Sequence, residues 1–407
     1  MVAFLVLLLA TSLHAAPIPS GTELTIRLTD KVASETTKPQ TPVHAVLIVP
    51  VIEDGKVALP LGVQLTGEVK QAKAAVEKEA TAGKGSDRAQ LELVFNQIAM
   101  GAYRTTLSAT VTALDNARET VDDQGVITGI DATEAYGSRL DQGIAKLQNN
   151  DKFASLAGII QGAKQALKIQ EVNPNIDYDP GVEMTLKLTR PLDWRGPVLG
   201  IESAIQPFPN QNELPDLVAR QPFRTIAENP ARPSDITNIM LLATEQELRA
   251  AFAKAGWSSA ARLTTQSKLE TARALIEDRG YREGPMSVLF LDNQPPAFAL
   301  QKGNNTFAKR HHLRIFARPG TFDGKPIWLC SSTHDTGINF SERDRTFIHR
   351  IDSDIDKERA KVVNDLLFAG AVRSLALVDR PDIPATLTNA TGDPLHTDGR
   401  MVVLLLQ

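Results

Sequence analysis

Cysteine is almost missing: Cys330 is the single one in 407 residues. A lone thiol closes no internal disulfide, so the fold rests on its apolar cores. Cys330 lies in the apolar run Ile327-Trp328-Leu329-Cys330, which predicts a buried, inert thiol in place of a nucleophile. An excess of basic charge is missing as well. The net charge is −4, and the one dense basic run, 309–314, alternates with apolar positions as a strand does, so nucleic acid is not an expected partner. Beyond the N-terminus no segment approaches the roughly 20 apolar residues of a membrane span. There is no G-x-S-x-G, no Walker loop and no G-x-G-x-x-G, so acyl transfer on a nucleophile elbow, P-loop chemistry and dinucleotide binding have no signature. What is present is ordinary for a globular chain: 42% hydrophobic and 23% charged residues, at a length for about two or three domains.

The chain opens MVAFLVLLLATSLHAAPIPSG. Its apolar core, residues 2–9 and on to 13, is too short to span a bilayer, and small residues around Leu13-His14-Ala15 suit a signal peptidase. No Lys or Arg precedes the core, so the start is internal or the signal atypical. We expect a signal peptide over 1–16 and export to the periplasm or cell envelope of a bacterium, with an uncleaved anchor as the alternative and no transmembrane span in the mature chain.

Residues 17–193 read as an all-β barrel or sandwich. In GTELTIRLT (21–29), Leu24, Ile26 and Leu28 face one side and Glu23, Thr25, Arg27 and Thr29 the other. Glu53-Asp54-Gly55-Lys56 signals a hairpin. GVEMTLKLT (181–189) repeats the first strand almost position for position, which predicts a late strand returning to the same sheet, with a duplicated module as the alternative. Between them, about 130–170 has helical periodicity and is expected to form a helical insertion. Residues 59–69, LPLGVQLTGEV, carry Pro60, Gly62, Gly67 and Val69 in a P-x-G-x-x-x-x-G-x-V step. With the G-T strand before it, this half resembles the TrbI-like β-barrel domain of conjugation and secretion channels. The resemblance implies the barrel fold, but no channel antenna or span accompanies it.

Residues 194–235 carry seven prolines from Pro197 to Pro233 and are expected to be a linker or wrapping segment. Residues 236–380 read as an α+β domain with a mainly antiparallel sheet: a helix capped by Thr244 and Glu247 and closed by Gly256, strands near 286–291, 296–301, 310–316, 325–332 and 346–351, and a last helix over 354–369. A tail, 381–407, holds a candidate strand.

The chemistry-bearing residues gather in this second half. KRHHLRIF (309–316), SSTHDTGI (331–338) and FIHRIDSDIDKER (347–359) follow in order, after SDITNIMLLA (234–243) and Ala255-Gly256-Trp257. Over about 140 residues these resemble the LssY C-terminal domain family. In other proteins that domain is often fused to membrane modules of the DedA or phosphatidic acid phosphatase type; the resemblance implies no established reaction.

Read for themselves, Arg310, His312 and Arg314 share one strand face and His311 and Leu313 the other. His312 between two arginines favours an anion, whereas His311 on an apolar face fits a hydrogen-bonded core histidine. His334-Asp335 ends the next strand, and Asp335 either orients an imidazole or makes an Asx turn. Asp352, Asp354 and Asp356 are what a helix start selects, and Arg359 is spaced to pair with Asp356. The candidate catalytic residues are His312, His334, Asp335 and His349. The candidate ligand-binding residues are Arg310, His311, Arg314 and Arg359, and the candidate metal ligands are His312, His334, His349 and Asp352. The first reading is an envelope protein binding an anionic small molecule, lipid headgroup or envelope partner. The rivals are a hydrolase of phosphoesters or lipid headgroups using a divalent metal, for which the imidazoles and arginines would have to meet in one cleft, and a purely structural protein.

Overall fold

The computed structural model describes residues 17–76, 87–131, 169–198, 204–228, 231–261, 264–281, 283–306, 308–341 and 346–407, with a few positions between 161 and 165. The expected signal peptide and nearly all of the expected helical insertion lie outside the described residues.

Alternation builds the first half. Nine strands form one antiparallel sheet: β1 (Glu23–Leu28), β2 (Pro42–Leu47), β3 (Gln64–Lys73), β4 (Gln90–Met100), β5 (Tyr103–Thr106), β6 (Ala109–Leu114), β7 (Thr120–Val121), β8 (Val126–Thr128) and β9 (Glu183–Leu188). Their order is β7-β8-β4-β3-β2-β1-β9-β6, with β5 beside β4. The repeated motif does return to the sheet: β9 pairs β1 with Leu186 opposite Leu24 and Met184 opposite Ile26. Leu24, Ile26, Leu28, Val43, Leu65, Phe95 and Leu186 point into one shared core. The sheet is nearly closed. Gly67 marks a bulge between β3 and β4, where a Cβ would stand 2.1 Å from the carbonyl oxygen of Val94, so only glycine lets the strands approach there.

The second half contains α1 (Leu214–Ala219), β10 (Arg224–Ala227), β11 (Arg232–Ile236), β12 (Ile239–Leu242), α2 (Glu245–Lys254), β13 (Ser258–Ser259), α3 (Thr265–Ile276), β14 (Leu289–Phe290), β15 (Phe298–Lys302), β16 (His311–Phe322), β17 (Lys325–Ser341), β18 (Thr346–Ile351), α4 (Ile355–Phe368), β19 (Val372–Asp379) and β20 (Arg400–Leu406). The main sheet runs β13-β15-β16-β17-β12-β20-β19, with β18 on the far end of β17, and β11-β10-β14 form a second small sheet. Thr244 and Glu247 make the expected capping box on α2.

Two boundaries differ from expectation. Of the two expectations for the proline-rich segment, linker or wrapping, the packing fits the second: Phe208, Leu214, Leu217 and Val218 pack against Met240, Leu329 and Val403. Its prolines mislead because they occupy tolerated places, such as Pro215 in the first turn of α1. The expected tail supplies β20, whose residues 401–406 are all buried and which pairs in parallel with β12 and antiparallel with β19. It lies inside the sheet because it is apolar at every position from 401 to 406, as a strand covered on both faces must be.

The main sheet is covered on both faces. On one, Leu241, Leu313, Ile315, Trp328, Cys330 and Leu404 meet Leu248 and Phe252 of α2 and Val362 and Leu366 of α4. On the other, Met240, Phe316, Leu329 and Val403 meet α1. The thiol of Cys330 is fully buried and pushed up by that burial, as expected of an inert cysteine.

The halves meet through buried charge. Arg27 of β1 reaches Glu183 at 2.7 Å and Asp365 of α4 at 2.8 Å. Lys361 contacts the same two carboxylates at 3.2 and 2.7 Å, and Lys302 lies 2.9 Å from Asp365. Burial alone would push Glu183 up, but Lys361, Lys302 and Arg27 hold it well below the usual carboxylate range.

Candidate functional site

The β16–β17 hairpin positions the site. It turns on Asp323 and Gly324, both with positive φ, 49° and 74°, the conformation that matches a two-residue hairpin to strand twist. Pairing starts with Phe322 opposite Lys325, slips at a bulge between Arg318 and Thr321, and then sets His311 opposite His334 and His312 opposite Thr333. Residues directly opposite share a face. The histidines and arginines are thereby divided between two sides of the sheet.

On the side away from α4, Arg310, His312, Arg314, Thr333 and Asp335 line a cleft of about 320 Å³, closed by Asp235, Ser287, Met286, Leu289, Ile351 and the 389–391 turn. Arg314 donates to the carbonyl and hydroxyl of Ser287 at 3.0 Å and lies 3.2 Å from Asp235. His312 Nε2 lies 3.2 Å from Asp335 Oδ2, and Arg310 lies 3.8 Å from the same carboxylate while donating to Gln301 at 2.7 Å. Arg310, His312, Arg314, Asp235 and Asp335 are all buried. Burial lowers Arg310 to about 10, and it raises Asp235 despite Arg314 beside it. Each guanidinium already faces a carboxylate, so the cleft is charge-balanced and not an open cationic patch. Sequence reasoning did not single out Asp235; its signal is an acid a few residues before the apolar run 239–243.

On the α4 side, His311 and His334 stack with ring centroids 4.3 Å apart and planes 17° apart. His311 Nδ1 lies 2.7 Å from Oε2 of Glu358, and Trp257 flanks the imidazole at 6.4 Å. Burial pushes His311 well below its ordinary value, with the charge of His334 adding to the effect; burial lowers His334 and pushes Glu358 well up. His311, His334 and Glu358 each offer one donor atom within 4.8 Å of the others. They are the residues, among those described, that could hold a metal ion. Glu358 escaped the sequence reading, although it lies on the stripe Ile355, Val362, Leu366 that α4 buries, where an acid is out of place.

The expected convergence of His312, His334 and His349 is therefore not what the hairpin produces. His312 faces the cleft and His334 faces α4, because alternation and register put them on opposite sides. The backbone of His349 pairs with Ile338; its side chain lies outside the described residues. Arg359 lines neither cluster. It pairs with Asp356 at 3.0 Å, as its spacing predicts, and more closely with Asp398 at 2.7 Å. Asp352 accepts from the amide of Asp354 at 2.9 Å, and Asp354 caps α4.

Residues 215–401 match the family described as the LssY C-terminus. The match supports that family for the C-terminal domain and includes the second half of the proline-rich segment, from 215, and most of the tail; it does not reach the barrel. No curated protein matches the chain.

Proposed function

We propose that the C-terminal domain of this LssY type is a binding module for a small ligand with an anionic group, of phosphoester or lipid-headgroup chemistry, received in the cleft of Arg310, His312 and Arg314. The observation that carries the reading is the wall itself: five buried ionisable side chains lining one cavity. Buried ion pairs cost desolvation that apolar packing avoids, and the rest of this sheet shows that apolar packing was available. The Arg314 end is closed by Ser287 and Asp235. Arg310 and His312 line the other end of the same cavity, where the anionic group would enter.

Titration calorimetry of the purified chain with inorganic phosphate, glycerol 3-phosphate and anionic phospholipid vesicles tests this. Replacing Arg310 by Met or His312 by Asn should weaken binding about tenfold or more, the scale of a hydrogen bond to a charged group. Binding unchanged in both variants, or none by the wild type, returns the cluster to a structural role. The hydrolase reading in its original form loses its support, since arginines and the α4-side imidazoles cannot touch one substrate across a sheet.

The signal-like leader motivates an envelope location, and Pro60, Gly62, Gly67 and Val69 motivate kinship with TrbI-like barrels. Fractionation of a C-terminally tagged chain checks the first: recovery in the cytosol with the leader intact rejects export.

A further inference from the structure

We propose that His311, His334 and Glu358 form a binding site for a divalent transition-metal ion of the zinc type, on the α4 side of the sheet and independent of the cleft. Three elements supply the ligands: β16, β17 and the first turn of α4. Their donor atoms already lie within 4.8 Å of one another. An ion with bonds of about 2.0–2.2 Å holds tetrahedral ligands roughly 3.5 Å apart, so the site closes by about 1 Å on loading, within reach of small side-chain rotations.

A second observation points to a ligand. His311 Nε2, His334 Nε2 and Glu358 Oε1 are all buried without a hydrogen-bond partner, and the side chains of His311 and Glu358 are 4% and 3% exposed. Buried polar atoms nearly always find partners. His334 Nε2 and Glu358 Oε1 are donor atoms open to a cation, and His311, whose Nδ1 faces the same carboxylate, can offer that nitrogen to the ion.

The donor set selects the ion. Two imidazoles and a carboxylate suit zinc and its first-row neighbours; calcium and magnesium prefer oxygen alone. Three protein ligands leave a fourth position, the arrangement of sites that keep a water. His334 is the half-buried member, so that position lies on the His334 side of the cluster. The cations behind the site do not cancel it. Lys361 and Lys302 are engaged by Asp365 at 2.7 and 2.9 Å and by Glu183 at 3.2 and 3.5 Å, leaving Glu358 as the carboxylate available to an ion. The amide of Asp352 donates to the carbonyl of His334 at 2.8 Å, which brings a further acid near the same residue.

The full chain, stripped with chelator, is incubated separately with Zn²⁺, Co²⁺ and Ni²⁺, desalted and analysed for metal. One ion per chain is expected, falling at least tenfold in Glu358→Gln and in His334→Asn and unchanged in His44→Asn, an exposed histidine of the barrel. No ion retained by the wild type, or equal retention in all variants, overturns the proposal. Should a variant fail to fold, X-ray absorption of the zinc-loaded wild type decides. A nitrogen and oxygen shell at about 2.0 Å with two imidazoles upholds the site, and a shell with sulfur, or with fewer than two imidazoles, rejects it.

Discussion

The barrel and the β16–β17 hairpin are built from the same kind of antiparallel strand, yet alternation does different work in each. In β1 the buried residues are Leu24, Ile26 and Leu28, while Glu23 is exposed, Thr25 is half-buried and Arg27 turns to the junction; alternation there separates the core from its outside. In β16 every residue from His311 to Phe316 is buried, because helices cover one face of that sheet and the cleft elements the other. Alternation then separates one interior from another. His311 goes to α4 and His312 to the cleft, and both interiors contain ions. A half-covered sheet can leave its charges in water; a fully covered one has to compensate them pairwise.

The sharpest test of that difference is at the junction, where a barrel strand itself carries a buried ion. Glu183→Gln should cost about 3–5 kcal/mol, since it leaves Arg27, Lys302 and Lys361 facing Asp365 alone in a buried site. Urea denaturation at pH 7 measures it. The dependence on pH has a fixed sign. Glu183 and Asp365 are held below their usual values when folded, burial notwithstanding, chiefly by Lys361 and Lys302. Their stabilisation is complete above the unfolded values near 4 and disappears as pH falls toward the folded values. The gap between wild type and Glu183→Gln should therefore narrow below about pH 4. A gap that stays constant down to pH 2 contradicts the ionic account.

A purely apolar change in the same strand gives the contrast. Leu186→Ala removes a fully buried side chain opposite Leu24 and should cost about 2–4 kcal/mol. Its cost should not vary between pH 7 and pH 3. If Leu186→Ala and Glu183→Gln respond to acid alike, the barrel interior and the junction are not the different environments described above.

The barrel was legible because one face of each strand meets water, so that hydrophobicity alone fixed the orientation of β1 and β9. The two-faced sheet was legible only strand by strand. Alternation groups Arg310, His312 and Arg314 on one face, but no hydrophobic contrast says which group of one strand meets which of the next. Asp323-Gly324 held the missing information. A two-residue turn pairs 322 with 325, which puts odd-numbered residues of β16 on the same face as even-numbered residues of β17. His311 then joins His334, and His312 joins Asp335. The bulge at 318–321 slips the register by two and so preserves this parity. Glu358 and Asp365 were hidden for a different reason: an acid on a buried helical stripe reveals its partners only in three dimensions. The proline-rich segment and the strand of the tail belong to the domain for a reason that proline density and terminal position conceal: the apolar residues around them are buried in it.

The smallest expected effect separates the two kinds of acid at the start of α4. Asp354 is the N-cap, accepting from the amide of Asp356, and Asp356 accepts from Thr397 and the amide of Asp398 while pairing with Arg359. These are structural duties, so Asp354→Ala should cost about 1 kcal/mol and leave zinc stoichiometry and phosphate affinity where they were. Glu358, one turn further along, is buried against His311 and has its carboxyl pushed well up by burial. Burial disfavours its charged form, so the isosteric Glu358→Gln should change stability by less than about 1 kcal/mol. It should nevertheless abolish metal uptake. The crossed outcome, stability lost without metal in one variant and metal lost without stability in the other, is what two adjacent acids with different work require. Loss of metal in Asp354→Ala would instead make the cap part of the site.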